Sequence, residues 1–332
     1  DGSPIAGQGT LFPEYNEGNG KRQKPKALAV ILDCVKDEDG DGAANVTDVE
    51  LFLKRNNAAR KALRGCDKYP GGDFRSPECI ALLKEADIVV TNPPFSLFRE
   101  YVAQLVENEK RFLIIGNVQA ITYKEIFPLI KGDRLWMGVT IHSGDREFRV
   151  PDHYPLNAAG WRIDENGVKY IRVKGVRWYT NLDHGRRHEE LKLMSISDNL
   201  RYNKKLKGKA YDQYDNYDAI DVSFTDAIPG DYDGVMGVPI TFLDKYNPDQ
   251  FEILGITKTW HGGAYKTYPM QTQVSKDGSE SLVSKLNDGP AIKVSERPTG
   301  RTYYRVGTEN FIQLYARLLI RRRAKPANGT TR

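Results

Sequence analysis

Short apolar runs punctuate a chain that is otherwise polar. Residues 27–35 (ALAVILDCV), 87–90, 112–115 and 135–141 read as strands. The stretches 49–63, 77–85, 96–106 and 123–130 recur at helical spacing. Strands alternating with helices predict an α/β fold, with 87–90 and 112–115 as consecutive buried strands of a parallel sheet. From Ser143 the pattern changes to short alternating strands (GVKYIRVKGVRWYTN) among many Gly, Asp and Tyr residues. The shift predicts two domains, 1–142 and 143–332. A last apolar run, 311–322, reads as a strand returning to the core. Residues 1–26 are loop-rich, and no internal repeat is visible.

One strand empties into Asn92-Pro93-Pro94-Phe95, and residues 96–106 follow as a helix. An exocyclic amino nitrogen on an aromatic ring is a poor nucleophile, because its lone pair is delocalised. Two acceptors against its two N–H bonds draw it toward a tetrahedral geometry. The Asn92 side-chain oxygen and the Pro93 carbonyl are the candidates. Pro93 and Pro94 fix the loop, since each sets φ and neither carries an N–H. Phe95 offers a flat face for a base. Such a turn is how amino methyltransferases hold a planar NH2 group. Positioning and oriented dipoles supply most of the rate, and no general base is needed before attack. The competing reading is an ordinary strand end and turn.

Upstream, Gly72-Asp73-Phe74-Arg75 precedes a helix and then the strand. In Rossmann-like methyltransferases an acid at this place accepts a hydrogen bond from the adenine of S-adenosylmethionine, and the next residue packs on that ring. Asp73 and Phe74 take those roles here, with Asn92 also at the cofactor. The alternative is that Asp73 caps the helix near Ser76. Residues 72–130, together with 143–151 (SGDREFRVP), 175–183 (GVRWYTNLD) and 231–239 (DYDGVMGVP), resemble the EcoRI-type adenine-specific DNA methyltransferase family. The resemblance covers most of 72–255. It implies a Rossmann-like methyltransferase sheet with a mixed α+β DNA-recognition domain, and methylation of adenine N6 in duplex DNA from S-adenosylmethionine. The family's first-strand cofactor motif, of Asp-Asp-Pro type, has no counterpart here, and Gly7-Gln8-Gly9 reads as a loop. The expectation is a chain lacking that strand, or a separate chain supplying it.

Composition changes the picture little. With 332 residues, 39% of them hydrophobic, the chain can fill the cores of two domains. No run approaches the roughly 20 apolar residues of a membrane span. Cys34, Cys66 and Cys79 make no metal spacing and suggest reduced thiols and a cytoplasmic protein, and the family resemblance implies a bacterial or phage-encoded one. The five histidines show no ligand spacing, and Asp183 and His184 read as structural.

The net charge of +5 is mild, but local clusters are candidate phosphate contacts. They are Arg317, Arg321, Arg322, Arg323 and Lys325; Lys204, Lys205, Lys207 and Lys209; and Arg172, Lys174 and Arg177 beside Trp178 and Tyr179. Solvated surface is the bland reading of each. A target adenine must leave the duplex to be methylated. Arg146, Arg149, Arg177, Trp178, Asn181, Arg186 and Arg187 are the candidates for holding that DNA. Duplex DNA is the expected partner, with a cognate restriction nuclease as a second. Two other functions compete: a catalytically silent DNA-binding or specificity component, and a methyltransferase for RNA adenine or protein glutamine.

Residues 37–48 fit a twelve-residue calcium loop. Asp37, Asp39, Asp41 and Asp48 fall at positions 1, 3, 5 and 12, Asn45 at position 9 and Gly42 at position 6. Ala44 at position 8, Asp in place of Glu at position 12, the absence of a second hand and a preceding strand depart from the pattern. The readings are a structural Ca2+ brace or an acidic surface turn in which Asp48 caps the helix.

Overall fold

The computed structural model describes residues 27–32, 34–56, 60–140, 146–157, 160–206 and 208–324. Gly7-Gln8-Gly9, Lys207 and Lys325 lie outside the described residues. In chain order the elements are β1 (Ala27–Val30), α1 (Val46–Arg55), β2 (Arg60–Leu63), α2 (Pro77–Glu85), β3 (Ile88–Thr91), α3 (Phe98–Glu107), β4 (Arg111–Asn117), α4 (Phe127–Lys131), β5 (Trp136–Met137), β6 (Arg146–Val150), β7 (Trp161–Ile163), β8 (Lys169–Val173) and β9 (Val176–Thr180). They continue with α5 (Ile196–Tyr202), β10 (Ile220–Asp221), β11 (Met236–Pro239), β12 (Phe251–Ile256), β13 (Gln271–Val274), β14 (Glu280–Val283), β15 (Ala291–Val294), β16 (Tyr303–Val306), β17 (Glu309–Gln313) and β18 (Arg317–Arg322). The chain is mixed α/β with several sheets and, among the described residues, no barrel. No described helix is long and apolar enough to cross a membrane.

The chain divides into two compact units. The first holds the described residues up to 89, with 106–110 and 146–174; the second holds 90–105, 111–140 and 175–324. In the first, β1 and β2 pair antiparallel. Residues 60–63 are therefore a strand, not the end of the helix predicted over 49–63, and β1 is shorter than 27–35. A four-residue run such as Arg-Lys-Ala-Leu carries no period that separates helix from strand, so its partner decides. Helix α1 starts at Asn45, which caps the Thr47 amide, and Asp48 closes a capping box. Helix α2 has Ser76 as its cap and Pro77 in its first turn, matching the predicted 77–85. Strands β6, β8 and β7 form a small antiparallel sheet.

In the second unit, β4, β9 and β5 stand side by side, with β3 at the outer edge beyond β4. Both β9 and β5 join antiparallel, so the sheet is not purely parallel. Strand β9 comes from beyond the boundary at 142 yet hydrogen-bonds β4. Strand β4 alternates, burying Phe112 and Ile114, whereas Ile88 and Val90 leave one face of β3 exposed. An edge strand with an open face does not meet the two-sided burial that its apolar run predicts. Helix α3 buries Phe98, Val102 and Leu105, an i, i+4, i+7 stripe. The Phe98 ring lies 5.0 Å from Tyr179 of β9. Gly116 of β4 makes that contact fit, because a Cβ there would come within 2.6 Å of Phe98 and 2.9 Å of Tyr179.

Two further sheets complete this unit. One runs β10-β11-β18-β12, the other β14-β13-β16-β17-β15. The second surrounds a core of Tyr268, Leu286, Ala291, Tyr304 and Phe311. The predicted 311–322 strand is two strands, β17 and β18, split at the exposed Tyr315. Strand β18 is the central strand of its own sheet, flanked by β11 and β12, and does not return to the β3–β4 sheet.

Candidate active site

Strand β3 ends at Thr91, and Asn92, Pro93 and Pro94 form the turn. A single 3-10 turn, Phe95–Leu97, then leads into α3. The turn is tied by the Leu97 amide donating to the Pro94 carbonyl, 3.0 Å. Pro93 is buried, while Asn92, Pro94 and Phe95 are exposed. Among the described residues, neither the Asn92 side chain nor the Pro93 carbonyl takes part in a hydrogen bond. Two rigidly placed acceptors with no internal partner, beside an exposed ring, suit a planar group carrying two N–H bonds.

The scaffold behind the turn is well fixed. The Asn117 side chain caps Gln119 at the end of β4, and the Tyr179 hydroxyl donates to the Asn117 carbonyl at 2.7 Å. Burial pushes the Tyr179 phenol far above its usual value, so it remains a donor.

In the first unit, the Asp73 carboxylate accepts from the Arg75 amide at 2.9 Å and pairs with its guanidinium at 2.8 and 3.0 Å. It does not cap α2; Ser76 does. The Arg75 hydrogen bond holds the Asp73 carboxyl below its usual value, so it is an anionic acceptor. The Arg75 guanidinium also sits 5.3 Å from the centre of the Phe74 ring.

The residues predicted for DNA fall into two groups. Arg149 and Arg186 are exposed, although Arg186 donates to the Val139 carbonyl at 2.8 Å. Arg146 opens β6, and Trp178 is half-buried on β9. The others are occupied internally. Arg177 is buried against Asp244 at 3.2 Å, and Asn181 accepts the Phe112 amide at 2.8 Å. Arg187 is buried, paired with Asp133 and stacked 3.9 Å from the centre of Trp136. His184 is hydrogen-bonded to the Met137 carbonyl at 2.9 Å.

The C-terminal basic block is paired within the chain, Arg317 buried and Arg321 to Arg323 at or near the surface. Arg317 pairs with Asp221, Arg321 with Glu252 and Arg322 with Asp233, and Arg323 donates to the Pro248 carbonyl. Each partner is remote in sequence, so the run of like charge concealed them. Conversely, Arg297 and Arg301 escaped sequence reasoning, although they share a groove with Lys209. They belong to no local run of bases, and no sequence signal would have found them.

In the acidic loop, Asp37 accepts the amides of Gly40, Asp41 and Gly42, and Asp48 those of Glu38, Asp39 and Asn45. Gly40 and Gly42 have φ of +80° and +90°, which a side chain would oppose. Asp37, Asp39 and Asp48 each place a carboxylate oxygen within 4.8 Å of the others. The loop thus serves as a helix cap while gathering three oxygens.

The chain is thus mixed α/β, with an exposed Asn-Pro-Pro-Phe turn at a strand end. Comparison with known proteins narrows this. A family model described as "Adenine-specific methyltransferase EcoRI" matches residues 10–323. The chain belongs to the EcoRI adenine-specific methyltransferase family. It is 53% identical over 189 residues to the type II methyltransferase M.EcoRI of Escherichia coli, covering 56% of this chain and 55% of that one. It is 40% identical over 213 residues to M.MgeORF184P of Mycoplasma genitalium, covering 63% of each. It is 41% identical over 188 residues to M.MpnI of Mycoplasma pneumoniae, covering 55% of this chain and 56% of that one. The chain thus spans between 55% and 63% of the length of these relatives. No solved structure matches.

Proposed function

We propose that this protein transfers a methyl group from S-adenosylmethionine to the N6 amino group of an adenine flipped out of duplex DNA. The observation that carries the reading is the Asn92-Pro93 acceptor pair, free of internal partners at the end of β3. The Asn92 oxygen and the Pro93 carbonyl accept the two N–H bonds and leave the nitrogen lone pair directed at the methyl donor. Phe95, 38% exposed, stacks on the base, and Pro94 holds the turn. The residues present fit the cofactor. Asp73, kept anionic, has lone pairs left for an adenine amino group, and Phe74 provides an apolar face beside it. The bound cofactor supplies an electrophilic methyl group; everything else is positioning. The sheet containing β3 and β4 is the Rossmann-like core of this reading. A cognate nuclease and a cytoplasmic setting go with a type II methyltransferase.

The test is to incubate the protein with S-adenosylmethionine and mixed-sequence duplex, digest to nucleosides and measure N6-methyladenine. Product that disappears in Asn92→Ala while DNA affinity persists supports the reading. Turnover retained by Asn92→Ala sinks it.

The three converging carboxylates favour a second assignment. Asp37, Asp39 and Asp48, whose oxygens converge, hold a Ca2+ ion that braces the start of α1, with Asp41 and Asn45 as the remaining ligands the loop pattern offers. Calcium, but not magnesium, then raises the melting temperature, and Asp37→Asn abolishes the effect. An unchanged melt in calcium leaves the loop as a helix cap.

A further inference from the structure

We propose that a groove of about 800 Å³ in the second unit grips the phosphate backbone of the DNA duplex, joining Lys205 and Lys209 to Lys293, Arg297 and Arg301, to which no role was assigned above. The choice of DNA as the polyanion rests on the methyltransferase reading; the cationic groove itself does not. Its walls come from segments far apart in sequence. One is the stretch carrying Lys205 and Lys209. The other is β15 with the connection to β16, carrying Lys293, Arg297 and Arg301.

Three acids also line it, against five bases. Asp221 is already paired with the buried Arg317. Burial and the adjoining Asp221 raise the Asp212 carboxyl above its ordinary value. Glu296 is exposed on the groove wall. Lys205 and Lys293 hold Asp226 and Glu309 in exposed pairs, which are weak and can be shared with a phosphate. Arg297 and Arg301 are exposed and have no side-chain partner among the described residues.

Two further features suit a nucleic-acid strand. Five basic side chains, Lys205, Lys209, Lys293, Arg297 and Arg301, line the groove from both walls. At the rim, Phe224 is 37% exposed and offers a flat face, with the Lys205 ammonium 5.6 Å from its ring centre. Phosphate contacts of this kind set position and register rather than sequence.

The experiment is the salt dependence of duplex binding by the full chain, followed by fluorescence anisotropy. Each lost phosphate contact flattens the slope of log affinity against log salt by about 0.9. The variant Lys209→Gln/Arg297→Gln/Arg301→Gln is expected to flatten it by about 2.7. Between 50 and 200 mM salt the unaltered protein then loses about 40-fold more affinity than the variant, by that same rule. Lys276→Gln/Lys285→Gln, exposed on the same sheet region but outside the groove, is expected to match the unaltered protein. The single variants Arg297→Gln and Arg301→Gln, each flattening the slope by about 0.9, carry the test if the triple variant melts early. A triple variant that is folded and keeps the original slope overturns the groove assignment alone. An unaltered protein that does not bind duplex overturns the methyltransferase reading, and the groove assignment falls with it.

Discussion

Arg317→Ala separates a structural arginine from a DNA contact. Arg317 and Asp221 are 9% and 6% exposed, and their side chains meet at 3.0 Å. Asp221 also accepts from the Tyr214 hydroxyl at 2.5 Å and from Ser223. Removing Arg317 leaves a buried carboxylate with two neutral donors and no counter-ion. Losing one partner of a buried pair costs about 3–5 kcal/mol. With a urea dependence of about 3 kcal/mol per molar for a chain of this size, the midpoint falls by about 1 M or more. Arg317→Met/Asp221→Asn, which removes both charges, is expected to recover part of the loss. The assay is urea unfolding by circular dichroism, with duplex binding measured in parallel. A cost under about 1 kcal/mol, together with a flatter salt slope, refutes the burial argument and returns Arg317 to the DNA surface.

Three other outcomes follow from the geometry. Asn92→Ala removes one of two oriented acceptors and is expected to lower kcat by about 10²–10³-fold in single-turnover methylation, with duplex affinity unchanged. Gly116→Ala pushes a methyl group against Phe98 and Tyr179 and is expected to cost about 1–3 kcal/mol in thermal unfolding, loosening the base of α3 behind the turn. Arg75→Met removes the hydrogen bond that depresses the Asp73 carboxyl, so NMR titration is expected to show its pKa rising toward 3.8. The sign fixes the pH window. A depressed folded pKa stabilises above about 3.8 and loses that contribution as pH falls through the folded value, so the variant differs from the unaltered protein at neutral pH but not in strong acid.

What the chain disclosed in advance was local. Asn92 to Phe95 could be read because two prolines and a preceding apolar run fix a turn within a few residues. Helix α2 could be read because Ser76, Pro77 and the residues after them signal its start. The Arg60–Leu63 strand could not, since only pairing with β1 distinguishes it from a helix end. Charge followed the same division. Arg317 and Asp221 are 96 residues apart, and Arg177 and Asp244 are 67 apart. A run of arginines gives no sign of whether acids await it in the fold. The reverse error has the same cause: Arg297 and Arg301 look isolated in sequence, and only the fold sets them in one groove with Lys209. Short-range chemistry therefore marks the proposed reacting turn, whereas the proposed gripping surface emerges only after folding decides which cations remain unpaired.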